Sequence, residues 1–408
     1  MGYTKQAAIG VGWMGALKVI IRGIGFVRIF ILARLLLPSD FGLFGIAGLV
    51  LAFLEIFTET GINIFLIQSD DKDILKKYVH TAWVVSIVRG FIMFVVIALL
   101  AHPLAEFFEA PRSVNLLLLI ATVPLIKGFI NPSIVTFRRS LQFQKEFLLR
   151  SSLMLIDSGL AIGYALYSRS AESLVIGLIA AAAFEVLFSF AFIKPRPSLK
   201  FDGKKFKEII GSGKWITLNG IWAYIAQQGD DAVVGKILNS AQLGYYQLAY
   251  KFSLLPGSEI TSTVQQVVFP VYSKIAGDKQ RLRRAYFKSL LLISVLAIPM
   301  GLVLFIFAEP IIFYTVGENW MPAAQALKPL ALFGMIGSLV TTENMLFYAV
   351  KRQDLASNIN LLKAIVLVIA IVPLTMHYGI VGAGYASLLS LLAIVPPTIF
   401  YVKKVLYE

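Results

Sequence analysis

The chain has 408 residues, of which 58% are hydrophobic and 15% are charged. A soluble domain carries about a quarter charged residues, so this composition excludes an ordinary soluble protein and predicts an integral membrane protein. The net charge of +14 is what basic cytoplasmic loops give a membrane protein, so no nucleic-acid partner is expected. The absence of cysteine and the wide spacing of the three histidines predict no metal site.

Twelve apolar stretches follow one another along the chain, and each offers roughly the 20 residues that a helix needs to cross a bilayer. One set of connections carries most of the 37 Lys and Arg residues, whereas the opposite set carries only Arg112 and Arg169. Because basic connections stay in the cytoplasm, this alternation predicts a multi-pass protein of the cell inner (cytoplasmic) membrane with both termini cytoplasmic. The predicted spans are 11–36, 41–67, 79–101, 113–136, 147–167, 172–193, 211–237, 243–273, 286–307, 323–349, 356–376 and 380–402.

The two halves of the chain resemble each other. "ARLLLPSDFGLF" (33–44) aligns with "GKILNSAQLGYY" (235–246), and "AHPLAEFF" (101–108) aligns with "AEPIIFYT" (308–315) at nearly the same offset. Six spans per half give parallel repeats, a transporter architecture with the substrate site between the halves. The predicted fold class is an all-α integral membrane protein of about 12 transmembrane helices, in two six-helix lobes related by a pseudo-two-fold axis along the membrane normal. We expect the N-terminal lobe at 1–195, a basic cytoplasmic linker at 196–210 and the C-terminal lobe at 211–408.

Charges in the first two spans are candidate site residues, since an ionised group in a bilayer faces the bundle interior or a wet cavity. Lys18, Arg22 and Arg28 share one face of span 1, and Glu55 and Glu59 lie one turn apart on span 2. Two interpretations stay open. The basic residues form a cationic wall for an anionic substrate, for which the arginine fork suits a diphosphate. Alternatively, Lys18 and Arg22 pair with the two glutamates and only hold the helices together.

The second half carries Lys251 on span 8 and two adjacent aspartates in "AQQGDDAVVGKIL". Asp230 and Asp231, with Asn358 and Asn360 as partners, are candidates for a Na⁺ or H⁺ coupling site, and Gly229 before them is expected to break the helix. The alternative is that the aspartates are hydrated near the outer membrane surface. No other cofactor is expected. Further intramembrane charges are Arg89, Lys127, Asp157, Glu185, Glu343 and Lys363.

The chain shows no phosphate-binding glycine loop and no Walker lysine, and no cytoplasmic connection is long enough for a nucleotide-binding domain. Hydrolysis of ATP by this chain is therefore not expected. An intramembrane enzyme acting on a lipid-linked sugar is a weaker alternative, because the outer connections are short. We do not expect an enzyme.

Two long stretches resemble the polysaccharide transporter (Wzx-type oligosaccharide flippase) family of the multidrug/oligosaccharidyl-lipid/polysaccharide exporter superfamily. They are "LARLLLPSDFGLFGIAGLVLAFLEIFTETGINIFLIQ" and "DDAVVGKILNSAQLGYYQLAYKFSLLPGSEITSTVQQVVFPVYSKIAGD". The resemblance covers nearly the whole chain. It implies a flippase that moves an undecaprenyl-diphosphate-linked oligosaccharide, such as an O-antigen or colanic-acid unit, to the outer leaflet by ion-coupled alternating access. It further implies contact with membrane lipids and with a polysaccharide polymerase.

In the related lipid II flippases, arginines of the first and eighth spans bind substrate and an aspartate of the seventh span belongs to the ion site. Similarity of position implies these roles for Lys18, Arg22, Arg28 and Lys251, and for Asp230 or Asp231; the lysine at 251 departs from the arginine of that family. The alternative function is a cation-coupled multidrug antiporter of the same superfamily, which would have an acidic and aromatic cavity. A scaffold without transport activity is a further alternative.

Overall fold

The computed structural model describes residues 3–58, 62, 66, 73–140 and 142–407, with the backbone alone at 3–11, 209–223, 225–226, 256–267, 270 and 341. The described residues form helices and no β-strand, which confirms the predicted all-α fold class. The long helices are α1 (Tyr3–Leu35), α2 (Pro38–Phe57), α3 (Ile74–Phe107), α4 (Ser113–Lys127), α5 (Phe143–Ser168), α6 (Glu172–Phe192), α7 (Gly203–Ile237), α8 (Ser240–Ile275), α9 (Lys279–Ile306), α10 (Met321–Ala349) and α11 (Gln353–Tyr407).

The predicted spans fall on these helices. Seven of the described helices are long and apolar enough to cross a membrane, or eight if a bent pair counts as one span. The helices α1, α7 and α8 have 33, 35 and 36 residues, and they carry the candidate site residues Lys18, Arg22, Arg28, Asp230, Asp231 and Lys251. Helix α11 has 55 residues and contains two predicted spans, because Gly379 breaks it with a φ of 58° that favours glycine. Most of 59–67, the end of the second predicted span, lies outside the described residues.

The first repeated segment has the same helix ends in both halves. A two-residue connection separates α1 from α2, and one of the same length at the matching position separates α7 from α8. Helix α2 starts at Pro38, whose fixed φ suits a first turn, and the Asp40 carboxylate accepts the backbone N–H of Leu37 at 2.9 Å. Helix α8 follows Asn239, whose side chain accepts the backbone N–H of Gln242 at 3.0 Å. The two halves thus make the same turn with different capping residues.

The chain divides into two compact units, residues 1–228 and 229–408. The boundary falls inside α7. The predicted lobe bounds stay a prediction.

The fourth predicted span is bent, so the expectation of one helix over 113–136 is wrong. Helix α4 ends at Lys127, and the short helices Pro132–Val135 and Thr136–Arg139 continue at an angle of 74°. The buried Asn131 fixes this bend, because its side chain accepts the backbone N–H of Ser133 at 3.0 Å and donates to the carbonyl of Pro195 at 3.1 Å. The proline after Asn131 disfavours helical backbone at Asn131 itself.

Helices α3 and α4 pack backbone against backbone in the first unit. A Cβ atom at Gly90 would lie 2.4 Å from the carbonyl oxygen of Pro124, so only glycine fits this crossing. Small residues at such crossings are how helices approach closely in a bilayer. The contact holds α4 at the position where it ends in the bend.

In the second unit α8, α9, α10 and α11 share an apolar core. Tyr272 and Phe347 are fully buried in it. A short helix, Ala308–Val316, precedes α10 and covers the sequence that repeats 101–108, which in the first half instead belongs to the end of α3. The second pair of repeated segments therefore differs in helix ends.

Candidate functional site

The first unit encloses a polar cavity of about 210 Å³, which we call the first-unit chamber. It lies beside the bend after α4, and side chains from α2, α3, α5 and α6 complete its wall. Its charged lining residues within the described ranges are three cations and two carboxylates, so the wall has a positive bias. The polar and charged lining residues are Glu55, Ser86, Arg89, Lys127, Arg150 and Glu185.

Each carboxylate of the chamber lies near one cation, at a distance longer than that of a normal hydrogen bond. Lys127 Nζ lies 3.7 Å from Glu55 Oε1, and Arg150 Nη1 lies 3.6 Å from Glu185 Oε1. Arg89 donates from Nε to the Thr58 hydroxyl at 3.0 Å and from Nη2 to the backbone carbonyl of Glu55 at 2.6 Å. The two long ion pairs leave their cations able to take up further acceptors.

The Arg150 side chain is held in place by Glu146 of the same helix. The carboxylate of Glu146 is buried, and its Oε1 accepts from Arg150 Nε at 3.2 Å and from Arg138 Nη2 at 2.8 Å. A carboxylate between two guanidinium groups is well satisfied, and it holds the Arg150 side chain at the edge of the chamber. Sequence reasoning missed Arg150, because it lies near the end of a predicted span and Glu185, its partner in the chamber, comes from another helix.

Arg28, predicted to bind substrate, forms a close ion pair with Asp157. Its Nη1 lies 2.7 Å from Asp157 Oδ2, and the two side chains are only 16% and 9% exposed. Helix α6 packs directly over this pair, since a Cβ atom at Gly177 would lie 2.4 Å from Asp157 Oδ1. The pair joins α1 to α5. Asp157 was noticed as an intramembrane charge, but its partner lies too far away in sequence to be predicted.

The other predicted residues of the first half are spread out. Lys18 is exposed, whereas Arg22 is half-buried and its side chain is engaged in an interaction within the protein. Glu55 reaches the chamber and pairs with Lys127, so the alternative in which Glu55 pairs with the basic residues of span 1 is not what the described residues show. Glu59 lies outside the described residues. The chamber therefore brings Glu55 together with Arg89, Lys127 and Glu185, which the sequence analysis noted only as further intramembrane charges.

In the second unit Asp230 is buried and closely hydrogen-bonded. Tyr246 Oη donates to Asp230 Oδ2 at 2.8 Å and lies 3.2 Å from the Ser387 hydroxyl. The backbone N–H of Asp231 donates to Asp230 Oδ1 at 3.0 Å. Helix α7 continues through Gly229 to Ile237, so the expected helix break at this glycine is wrong. Both carboxylate oxygens of Asp230 are thus already hydrogen-bonded within the protein.

Asp231 points to other partners, as adjacent helical residues do. Its Oδ2 accepts from Gln247 Nε2 at 3.0 Å, and Lys251, one turn further along α8, interacts with it electrostatically. The predicted substrate lysine and the predicted ion-site aspartate are therefore neighbours. This proximity brings the residues predicted for substrate and for the ion into one region of the second unit.

Lys363 is the unexpected member of this region. It lies within electrostatic reach of both Asp230 and Glu343, and its Nζ lies 5.1 Å from the centre of the Phe333 ring. Glu343 is 1% exposed, and its Oε2 has no hydrogen-bond partner among the described residues. The Asn358 and Asn360 side chains, predicted as ion ligands, are exposed. We refer to Asp230, Tyr246, Glu343, Lys363 and Ser387 as the second-unit cluster.

The sequence pattern of the polysaccharide biosynthesis protein family matches residues 31–325. Lipopolysaccharide biosynthesis protein WzxC of Escherichia coli K12 is 24% identical over 95% of this chain and 79% of its own length.

Two solved structures share the fold. The lipid II flippase MurJ in an inward closed conformation has a TM-score of 0.77 at 16% identity, over 95% of this chain and 87% of its own. An inward-facing multidrug resistance MATE family transporter of the MOP superfamily has a TM-score of 0.69 at 16% identity, over 94% of each chain. At such identities these likenesses establish the fold alone, which is that of a multi-pass membrane transporter.

Proposed function

The chain belongs to the polysaccharide biosynthesis protein family, and we propose on that basis that it is a flippase for a polyprenyl-diphosphate-linked oligosaccharide. It would carry this lipid from the cytoplasmic to the outer leaflet of the inner membrane, by alternating access, for cell-surface polysaccharide biosynthesis. The observation that carries the proposal is family membership over most of the chain. A lipid of the undecaprenyl type, a polymerase partner and cytoplasmic termini belong to the same proposal.

The charge of the first-unit chamber favours an anionic substrate. The chamber's described lining residues carry three cations, two carboxylates and no aromatic ring, whereas a cationic drug requires an acidic and aromatic cavity. The chamber is small beside the clefts of about 300–1,000 Å³ that hold drug-sized ligands. It therefore suits one anionic group of the substrate, a phosphate or the carboxylate of an acidic sugar, and not the whole oligosaccharide.

Within the chamber we assign Arg89 and Lys127 to the substrate. Both lie beside the open cavity. Two hydrogen bonds to the end of α2 position the Arg89 guanidinium at the wall, and Lys127 is held by its long ion pair with Glu55. For Lys18, Arg22 and Lys251, substrate binding remains a proposal that rests on the family resemblance. Arg28 is better explained by its pair with Asp157, because its ion pair is short and buried.

The test is flipping by the purified protein in liposomes that contain a fluorescent polyprenyl-diphosphate sugar, read from its accessibility in the outer leaflet. Arg89→Gln and Lys127→Gln should each slow exchange by about tenfold or more, since a hydrogen bond to a charged group is worth about 1.5–3 kcal/mol. Lys76→Gln is the matched control, because Lys76 is exposed and pairs only with the neighbouring Asp73 among the described residues.

Three results would each exclude part of the proposal. Wild-type protein that exchanges no such lipid would exclude the flippase. Exchange that survives both chamber variants would leave the flippase and exclude the chamber as its anion site. A new covalent product in the recovered lipid, seen by mass spectrometry, would favour the intramembrane enzyme.

For coupling we propose H⁺ over Na⁺, and the second-unit cluster supports this choice. Each carboxylate oxygen of Asp230 already accepts one hydrogen bond from the protein, which leaves fewer lone pairs for a sodium ion. The Lys363 ammonium within electrostatic reach would also repel a second cation. Lys363 thus supplies positive charge near Asp230 and Glu343, where a bound metal ion would otherwise have to supply it.

Thermal unfolding of the purified protein in Na⁺ or choline salts tests the choice of ion without a substrate. A site-bound ion at ten times its Kd adds about 1.4 kcal/mol of stability, and we expect no such gain in wild type. Lys363→Met removes the tethered cation and should make the protein responsive to Na⁺. Stabilisation of wild type by Na⁺ that Asp230→Asn abolishes would contradict the proposal.

A further inference from the structure

The first turns of α9 carry a basic face that the proposed function does not use. A groove of about 480 Å³ runs along this helix. Its lining residues recur at the three- and four-residue spacing of one helix face. They are Gln280, Arg283, Arg284, Phe287, Lys288 and Leu291.

The three cations of this groove are exposed, and none of them forms an ion pair with a residue that the structure describes. Arg281 differs, since it lies outside the groove and its Nε is 3.1 Å from Asp278 Oδ2. Arg283 is held in place from below, because its guanidinium lies 4.2 Å from the centre of the Tyr407 ring. The groove thus offers three cations, one of them positioned by an aromatic ring, without an ion-pair partner in the part of the chain that the structure describes.

The charges are also placed unfavourably for the helix itself. Arg283 and Arg284 lie in the second turn of α9, close to the positive end of the helix dipole, where Asp278 at the N-cap provides one carboxylate that is itself paired with Arg281. Arg284 and Lys288 are four residues apart, a spacing at which like charges repel. An anion bound here would relieve both effects.

Below the cations the same face becomes apolar. Phe287 is 47% exposed, Leu291 64% and Val295 60%. A ligand that fits must therefore carry negative charge at one end and a hydrocarbon chain at the other. The connection before α9 is also one of the basic connections predicted to be cytoplasmic, the side on which membranes concentrate anionic lipids.

We propose that this groove binds an anionic phospholipid, with its phosphate at Arg283, Arg284 and Lys288 and an acyl chain along Phe287, Leu291 and Val295. The lipid neutralises the start of α9 and stabilises the fold. This site is independent of the proposed transport function, and it is separate from the first-unit chamber.

The experiment uses the purified full chain in detergent, titrated with phosphatidylglycerol or phosphatidylcholine. Native mass spectrometry counts the retained lipids, and thermal unfolding measures their effect. Phosphatidylglycerol should be retained and should raise the unfolding temperature, and phosphatidylcholine should do neither. Each basic residue near an anionic lipid contributes about fivefold to affinity, so Arg283→Gln/Arg284→Gln should weaken retention roughly 25-fold.

The matched control is Lys279→Gln/Arg281→Gln, which removes the same charge from the same helix end but outside the groove. It should weaken retention clearly less than the groove variant does, because neither Lys279 nor Arg281 lines the groove, and the difference between the two variants measures the share of the groove. Arg283→Lys/Arg284→Lys, which keeps the charge, should retain most of the binding and guards against a folding defect of the glutamine variant. Equal losses in the two glutamine variants would overturn the proposal in favour of a diffuse charge effect, and equal stabilisation by inorganic phosphate alone would overturn the lipid assignment.

Discussion

The pair of Arg28 and Asp157 allows a sharp test of whether a basic residue of α1 binds substrate or joins helices. Both side chains are largely buried and lie 2.7 Å apart. Removal of one partner of a buried ion pair leaves an unpaired charge and costs about 3–5 kcal/mol, whereas replacement of both by apolar residues is often neutral. Arg28→Met and Asp157→Leu alone should therefore each destabilise the protein by about 3 kcal/mol or more, and the double variant should recover most of this loss.

Unfolding of the four proteins in one detergent gives the double-mutant cycle, and flipping in liposomes gives the function. If the pair only joins α1 to α5, the double variant regains both stability and transport. Recovery of stability with transport still lost would show that Arg28 contacts the substrate. Single variants as stable as wild type would refute the reasoning, because the pair would then carry no buried charge.

Two further predictions concern packing and the second-unit cluster. Gly90→Ala should destabilise the protein by about 1–3 kcal/mol in a thermal unfolding assay, because its Cβ would lie 2.4 Å from the Pro124 carbonyl oxygen. Gly48→Ala, whose Cβ would have no atom within 4 Å, should be neutral or slightly stabilising in the same assay. Equal losses of stability in the two variants would contradict the close crossing of α3 and α4. Tyr246→Phe removes a donor from buried Asp230 and should cost about 1–3 kcal/mol by denaturant unfolding. Tyr245→Phe, at a half-buried neighbour, should stay within about 0.5 kcal/mol, and a Tyr246→Phe variant of wild-type stability would be the contrary result.

The helices of this fold were predictable from the sequence because a bilayer imposes length and apolarity on every span. Gly379 illustrates this: the two predicted spans around it stop on either side of the residue that breaks α11. The bend after α4 was not predicted, since the apolar residues continue through it and only the local Asn131-Pro132 pair marks the change in direction.

The candidate site was predictable only as a set of intramembrane charges. Hydropathy marks Arg89, Lys127 and Lys363 as exceptional, but it carries no information on which helices face each other. Their partners, such as Glu55 for Lys127, come from other helices and depend on packing. Gly177 adds a further reason, because the position of Asp157 is set by the close approach of α6.

Irregular backbone at membrane depth needs hydrogen-bond partners other than lipid. At the end of α4 the backbone itself supplies several of them, because the N–H groups of Gly128, Phe129 and Ile130 donate to the carbonyls of Pro124, Ile126 and Lys127. Just beyond the helix, Trp83 Nε1 donates to the carbonyl of Phe129 at 3.0 Å. Backbone of this kind is tolerated only inside protein or beside a wet cavity. Gly128 and Ile130 of the bend line the first-unit chamber. A polar headgroup can hydrogen-bond to the backbone there, whereas a polyprenyl tail cannot, so under the proposed function we expect the bend to favour the headgroup end of a lipid-linked sugar.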